Sequence, residues 1–510
     1  MNMVKTLLLG SAAGLVAVAG AQAADMPVKA APVQYVKICS LYGDGFYYIP
    51  GTDTCIKMGG YLRVQAEYNM GGGGVAIGNN TGGEPSQARY TRDGTNDINY
   101  RVRGAISWDV RQQTEYGTLR TYIRFGVENT TPAASGGGTT ATAFWDRAFI
   151  QFAGFTVGRS QSFFDLFTYG GAYSYHNVRV SGDTGASGQN LWAYTAQFGN
   201  GFSGSLSLED PNNHRNNASG SIDVLTPGFF AFNGVLATDN AFQLQAPAAM
   251  FGFRVPDMVA NLRVDQAWGF AGISVALHDT SGAYYQFPNN VNNGHPEDKF
   301  GWAVAGGAKF NLPGNDMIGF NVCYSEGNGG RCTNEASWQL YNNSDHVGLG
   351  WLSDGVFGTG TQIELTRVWS ALAAYEHIWN PKWRTAVGGG YVNISYDAAA
   401  RNLILSQTAG AAVACGVPAG GAATLTAITL LRGNSCSPNY SFWEAYTRTQ
   451  WNPVAQLDIG MEVMYTRHET AFKGPANLTA NGSRPAVLNG VIDDQNVWSA
   501  MFRWQRNFYP

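Results

Sequence analysis

The sequence predicts an all-β protein: a transmembrane antiparallel β-barrel of 16 strands with long outer loops and short periplasmic turns. Three observations predict it. Segments alternate apolar and polar side chains residue by residue, short turns alternate with long polar connections, and the composition is rich in glycine and aromatics but poor in charge. Of 510 residues, 45% are hydrophobic, 13% are charged and 65 are glycine, whereas a soluble domain carries about 25% charge. Past residue 23 no apolar run approaches the ~20 residues of a helical span, which excludes a polytopic helical membrane protein. The 27 Phe, 14 Trp and 25 Tyr exclude disorder. With 32 basic and 36 acidic residues, net −4, there is no reason to propose nucleic acid as a partner.

The N-terminus reads as a signal peptide over residues 1–23. Lys5 supplies the positive charge, Leu7 to Ala19 the apolar run, and Ala21-Gln22-Ala23 an A-x-A cleavage site. The next unit, 24–57, is expected to be a periplasmic segment containing a hairpin around Gly43–Tyr48; the barrel is expected over 58–510. The cysteines fall into sequence-local pairs, Cys39/Cys55, Cys323/Cys332 and Cys415/Cys436. Spacing alone leaves the connectivity open. Local pairing is favoured because each pair brackets a short turn-rich segment, and an oxidising compartment favours disulfides over thiols. No C-x-x-C or H-x-x-x-H spacing supports a metal site, and no cofactor is implied.

The strands are read from period-two alternation. Leu62, Val64 and Ala66 oppose Arg63, Gln65 and Glu67. Tyr100, Val102, Ile106, Trp108 and Val110 oppose Asn99, Arg101, Arg103, Ser107, Asp109 and Arg111. Leu119, Ile123 and Phe125 oppose Arg120, Tyr122 and Arg124. Late in the chain, Leu457, Ile459, Met461, Val463 and Tyr465 oppose Asp458 and Glu462, and Trp498, Ala500, Phe502 and Trp504 oppose Arg503 and Gln505. Short turns fall near Thr114–Gly117, Gly154, Gly199–Gly201, Gln266–Gly269, Asn311–Asn315, Asn380-Pro381 and Asn452-Pro453. Long polar stretches lie between them near 69–97, 128–143, 160–190, 209–256, 279–299, 325–361, 396–440 and 466–495. This is the pattern of a membrane barrel, with ~10-residue alternating strands. Such a barrel must close, because strand edges cannot be satisfied in hydrocarbon. Trp108, Trp302, Trp369, Trp383, Trp443, Trp451 and Trp504 lie on apolar strand faces, as aromatic girdles require.

The segment Tyr35-Val36-Lys37-Ile38-Cys39, Gly45-Phe46-Tyr47-Tyr48-Ile49-Pro50-Gly51-Thr52-Asp53-Thr54-Cys55-Ile56-Lys57 and Gly60-Tyr61-Leu62-Arg63 resembles the opening of alphaproteobacterial, rhizobial-type outer-membrane porins. The signal peptide and the closing run Phe502-Arg503-Trp504-Gln505-Arg506-Asn507-Phe508 are similar to that family as well. The resemblance implies an integral outer-membrane protein surrounded by lipid and lipopolysaccharide. It also implies a homotrimer of diffusion channels, with the third outer loop folded into the lumen. The family usually ends on an aromatic residue read by the assembly machinery, whereas here Tyr509-Pro510 follow Phe508. The mature Ala24-Asp25 end resembles that of members attached to peptidoglycan, and is expected to be such an anchor.

By ordinal position and by the resemblance, 160–190 is the constriction loop, with Asp165 and Asp183 as its acids. The inward sets of the first strands supply Arg63, Arg101, Arg103, Arg120, Arg124, Arg147 and Arg159. An acidic loop facing an arginine ladder would set a transverse field across the narrowest point, and charged rings set ion preference. The expected function is a water-filled channel for passive diffusion of small hydrophilic solutes and ions. A substrate-selective channel is the alternative. A barrel enzyme is the remoter one, because no histidine sits in H-E-x-x-H or near a G-x-S-x-G elbow, and no G-K-S or G-K-T follows Gly71–Gly74. Most of the histidines are expected to be solvated loop residues.

Overall fold

The computed structural model describes residues 37–68, 98–131, 140–166, 173–175, 188–211, 221–223, 254–282, 284–285, 291–333, 338–343, 346–406, 414–416, 428–478 and 487–508. The signal peptide, Ala24, Asp25, Asp183 and Tyr509-Pro510 lie outside the described residues. The barrel strands are β1 (Cys55–Tyr68), β2 (Ile98–Thr114), β3 (Gly117–Thr131), β4 (Thr140–Phe152), β5 (Phe155–Ser160), β6 (Gln189–Gly199), β7 (Phe202–Glu209) and β8 (Asp257–Gln266). They continue as β9 (Gly269–Asp279), β10 (Phe300–Asn311), β11 (Met317–Glu326), β12 (Arg367–Asn380), β13 (Trp383–Ser395), β14 (Tyr440–Trp451), β15 (Leu457–Glu469) and β16 (Gln495–Asn507). Each pairs antiparallel with the next, and β16 returns to β1 over Tyr61↔Asn507 to Tyr68↔Ala500, closing a 16-strand ring. Closure removes every unpaired edge.

Period two decides which side each residue takes. Leu62, Val64, Tyr100, Val102, Ile106, Leu206, Leu262, Ile273 and Val275 stand exposed on the outside, while Gln65, Asn99, Ser107, Ser207, Ser274 and Ser370 are buried on the inside. Outward aromatics gather at both rims. Trp383 stacks on Trp451 at 5.7 Å at the short-turn end; at the loop end Trp302 meets Tyr324 at 5.4 Å and Trp443–Tyr465–Trp498 form a row. Such rings, part apolar and part polar, suit the two membrane–water interfaces.

The connections alternate short and long as the sequence predicts, and the bridges are Cys39–Cys55, Cys323–Cys332 and Cys415–Cys436. The first strand starts at Cys55, ahead of the expected boundary at 57/58, so the first bridge is anchored directly in the barrel. The stapled segment packs Phe46, Tyr42 and Tyr48 around that bridge. It rests on inner-face residues at the short-turn end: Lys57 Nζ donates to the Asp44 carbonyl at 3.0 Å, and the Arg111 guanidinium lies 4.9 Å from the Phe46 ring.

The long loops are more built than their polarity suggests. Strands at 338–343, 346–351, 428–430, 474–478 and 487–492 make a five-stranded sheet from the sixth, seventh and eighth loops. Helix α1 (Ala398–Ser406) buries Ala400, Ile404 and Leu405 in an apolar cluster with Leu352, Val356, Tyr396, Phe442, Phe472 and Ile492. The outer loops thus carry an apolar core of their own beside the two bridges. The residues that build it are scattered over separate segments from Leu352 to Ile492, and no local period marks them.

Candidate functional site

The polar inner wall is built by strand alternation, and on β1 to β4 it is an arginine field threaded by carboxylates. Arg101 and Glu128 form an ion pair, with Arg103 Nε 3.6 Å from the same carboxylate. Asp109 accepts from Arg111 at 2.7 Å and from Arg120 at 2.9 Å. Asp146 accepts from Arg124 at 2.8 Å and lies 3.9 Å from Arg103. Arg63 donates to Gln505 at 2.7 Å. Arg147 is buried beside them and donates to the Asp146 carbonyl.

Asp146 was not visible as a wall residue in the sequence pattern. The register slips between Arg124 and Phe125, which pair with Arg147 and Trp145 and leave Asp146 as the extra residue. A bulge of this kind breaks the alternation, so Asp146 and Arg147 are both buried while Trp145 points outward. Arg159 is the other departure. It pairs with Ala148 and Asn190, in the register of outward Phe155 and Trp192, and donates to the Trp145 carbonyl at 3.0 Å. Its placement on the inner ladder is corrected: counting alternation forward from β4 does not survive the turn at Gly154.

Aromatic rings lie among these cations. The Arg103 guanidinium sits 3.7 Å from the Phe144 ring centre, and Arg120 lies 5.3 and 5.5 Å from Tyr122 and Phe149, which stack at 5.4 Å.

The described parts of the third loop touch the inner wall on two opposite arcs. At its root, Asn261 of β8 donates to the Phe163 carbonyl at 2.6 Å and Ser274 of β9 to the Phe164 carbonyl at 2.7 Å. Farther on, Ser174 Oγ and Tyr175 N donate to Glu462 of β15 at 2.8 and 2.6 Å, and Arg503 of β16 donates to the Tyr175 carbonyl at 2.8 Å. The Tyr175 ring is held between Arg503 at 4.2 Å and Arg448 at 5.2 Å. Two wall glycines receive the loop: a Cβ at Gly460 would strike the Tyr175 hydroxyl, and one at Gly272 the Leu166 side chain. Burial pushes the Tyr173 and Tyr175 hydroxyls up to about 12, so both stay protonated. Asp165, the expected acid, lies in the same buried root, where its amide donates to the Ser162 carbonyl at 3.3 Å.

Three of the histidines lie on barrel strands rather than in loops. His278 and His468 are buried on inner faces, and His377 lies 2.8 Å from Asp316 at a turn. Among the described residues no cluster of His, Cys, Asp and Glu could hold a metal ion.

A closed ring of 16 strands with an apolar outside, aromatic rims and a charged inside is a membrane-spanning channel of the outer-membrane barrel class. The family model described as "Porin subfamily" matches residues 25–500, and the chain belongs to that family. Porin Omp2a of Brucella melitensis biotype 1 is 30% identical over 368 residues, 66% of this chain and 89% of that one. Porin Omp2b of Brucella suis is 30% identical over 383 residues, 67% and 93% of the two chains. Among solved structures, the outer membrane channel DcaP of Acinetobacter baumannii has a TM-score of 0.54 over 90% of this chain and 99% of its own, at 14% identity; that likeness is one of fold. The protein is thus an integral outer-membrane porin, with its short turns on the periplasmic side.

Proposed function

We propose that this porin is a passive diffusion channel for small hydrophilic solutes and ions, narrowed by its third loop and biased toward anions by the wall of β1 to β4. The observation that carries the reading is the charge imbalance of that wall. Arg63, Arg101, Arg103, Arg111, Arg120, Arg124 and Arg147 outnumber Glu67, Asp109, Glu128 and Asp146, the carboxylates among them. Charges lining a constriction set ion preference, and low-dielectric walls focus their field. The third loop is read as lying within the lumen because its root is bonded to β8 and β9 and its later residues to β15 and β16, across the ring.

The experiment is a reversal-potential measurement in planar bilayers under a salt gradient. Arg120→Glu combined with Arg124→Glu shifts the potential toward cations; an unchanged value would remove these arginines from the ion path. A substrate-selective channel is the second reading, favoured by the arginine-faced rings of Phe144, Tyr122 and Phe149, a surface suited to planar anionic solutes. Saturable block of conductance by such a solute would favour it. The trimer, lipopolysaccharide contact and a peptidoglycan link through Ala24-Asp25 belong to the same proposal. Muramidase digestion with mass spectrometry that finds only an unmodified Ala24 amine would discard the link.

A further inference from the structure

The sixth loop sends one charged side chain deep into the wall where the third loop begins. Arg331 closes the short turn Gly329–Arg331 and precedes Cys332, whose bridge to Cys323 ties that turn to the end of β11. Its side chain is wholly buried. Nη1 donates to Ser162 Oγ at 2.8 Å and to Glu209 at 2.9 Å, and Nη2 donates to Asp257 at 2.7 Å. The Phe164 ring lies 5.5 Å from the guanidinium.

The same carboxylates hold the loop and the wall. Glu209, ending β7, accepts from Ser162 Oγ at 2.7 Å, from Phe163 N at 2.9 Å and from Gln189. Asp257, opening β8, lies 2.6 Å from His278 Nδ1. Asp354, farther along the sixth loop, accepts from Gly329 N at 3.2 Å and lies 3.6 Å from His278 Nε2. All of these ionisable side chains are buried. A buried carboxylate left without its cation repels its like neighbour and draws in water, so removing one partner of such a group is disruptive. The guanidinium fork reaches both carboxylates and the hydroxyl at once, which a lysine ammonium on a single stem does not reproduce.

We propose that Arg331 is a positioning residue for the pore: held by the Cys323–Cys332 bridge, it pins the root of the third loop to the wall and thereby sets the bore. The proposal rests on the reading that the third loop lines the lumen. Asn261 and Ser274 each bind the root through a single hydrogen bond. Arg331 instead joins loop, two wall strands and a second loop through one rigid group, so its loss leaves Glu209 and Asp257 uncompensated beneath the root and loosens it while the strand ladders stay intact.

The test compares folded, heat-modifiable preparations of Arg331→Gln, Arg331→Lys, Ser162→Ala and the Cys323→Ser/Cys332→Ser pair with wild type. Readouts are single-channel conductance and the size limit for sugars in liposome swelling. Tyr175→Ala, at the loop's other anchorage, is the control. The expected result is a shifted main conductance with added sub-levels and a larger size limit in Arg331→Gln and in the cysteine pair. Arg331→Lys lies between these and wild type. If Tyr175→Ala alters the channel while Arg331→Gln, Ser162→Ala and the cysteine pair match wild type, the proposal falls and the lumen reading stands; if none alters it, both fall. Should Arg331→Gln not fold, wild-type records from Ser162→Ala and the cysteine pair overturn the proposal by themselves.

Discussion

Arg103 and Asp316 show how single residues are used at the two ends of the charge problem. Arg103 is buried, close to Glu128 and Asp146 and 3.7 Å from the Phe144 ring centre, so its charge is shared and its apolar surface covered. Its inward aim is legible in the alternation around Val102 and Gly104. Its partner Asp146 is not, because a one-residue bulge shifts the face of a strand and leaves no mark in composition. Asp316, in the turn between β10 and β11, accepts from the Tyr375 hydroxyl at 2.6 Å and the Ile378 amide at 2.8 Å, with His377 beside it. These contacts hold its carboxyl down at about 2, below the ordinary 3.8. The folded value is the lower one, so the group supports the turn above the ordinary value and loses that support as pH falls toward 2. Thermal unfolding in detergent should therefore show an acid loss across that window in wild type, and a flatter profile in Asp316→Asn. Parallel profiles would show that Asp316 does not couple the turn to pH.

At the scale of elements, the third loop is placed by what the wall leaves out as much as by what it presents. Gly460 opens the space that the Tyr175 ring fills, and Gly272 the space for Leu166. Gly460→Leu, with every hydrogen-bonding group retained, is expected to displace Tyr175 and change single-channel conductance in the same direction as Tyr175→Ala; unchanged conductance in a folded variant would mean that the loop does not depend on this seat. The outer loops carry the same lesson. Their sequences are polar and glycine-rich, and alternation is too short at 428–430 or 487–492 to distinguish a strand from a turn. Pairing between loops far apart in sequence, as where His346 meets Val491, forms them, and burial of Ile404, Leu405, Phe442 and Phe472 in one cluster holds them.

For the whole molecule, the decisive event is closure. Phe508 N donates to the Gly60 carbonyl at 3.0 Å, and a Cβ at Gly60 would collide with the Phe508 ring and the Ala105 carbonyl. The seam where the last strand meets the first is thus keyed by one glycine and one aromatic ring. Gly60→Leu should lower the yield of heat-modifiable barrel more than Phe508→Ala, because it blocks the seam as well as removing the ring contact; equal yields would assign the closure to the strand ladder alone.

The sequence by itself determined the barrel, its 16 strands, their inside and outside and the girdles, because membrane burial imposes a period of two on every strand and water imposes long polar connections on one side. Only the tertiary structure decided the outward aim of Arg159, the inward turn of Asp146, the folded cap of the outer loops and the insertion of Arg331. Each of these depends on a bulge within a strand, on register across a turn or on contacts between segments distant in the chain, and none of these leaves a periodic trace along it.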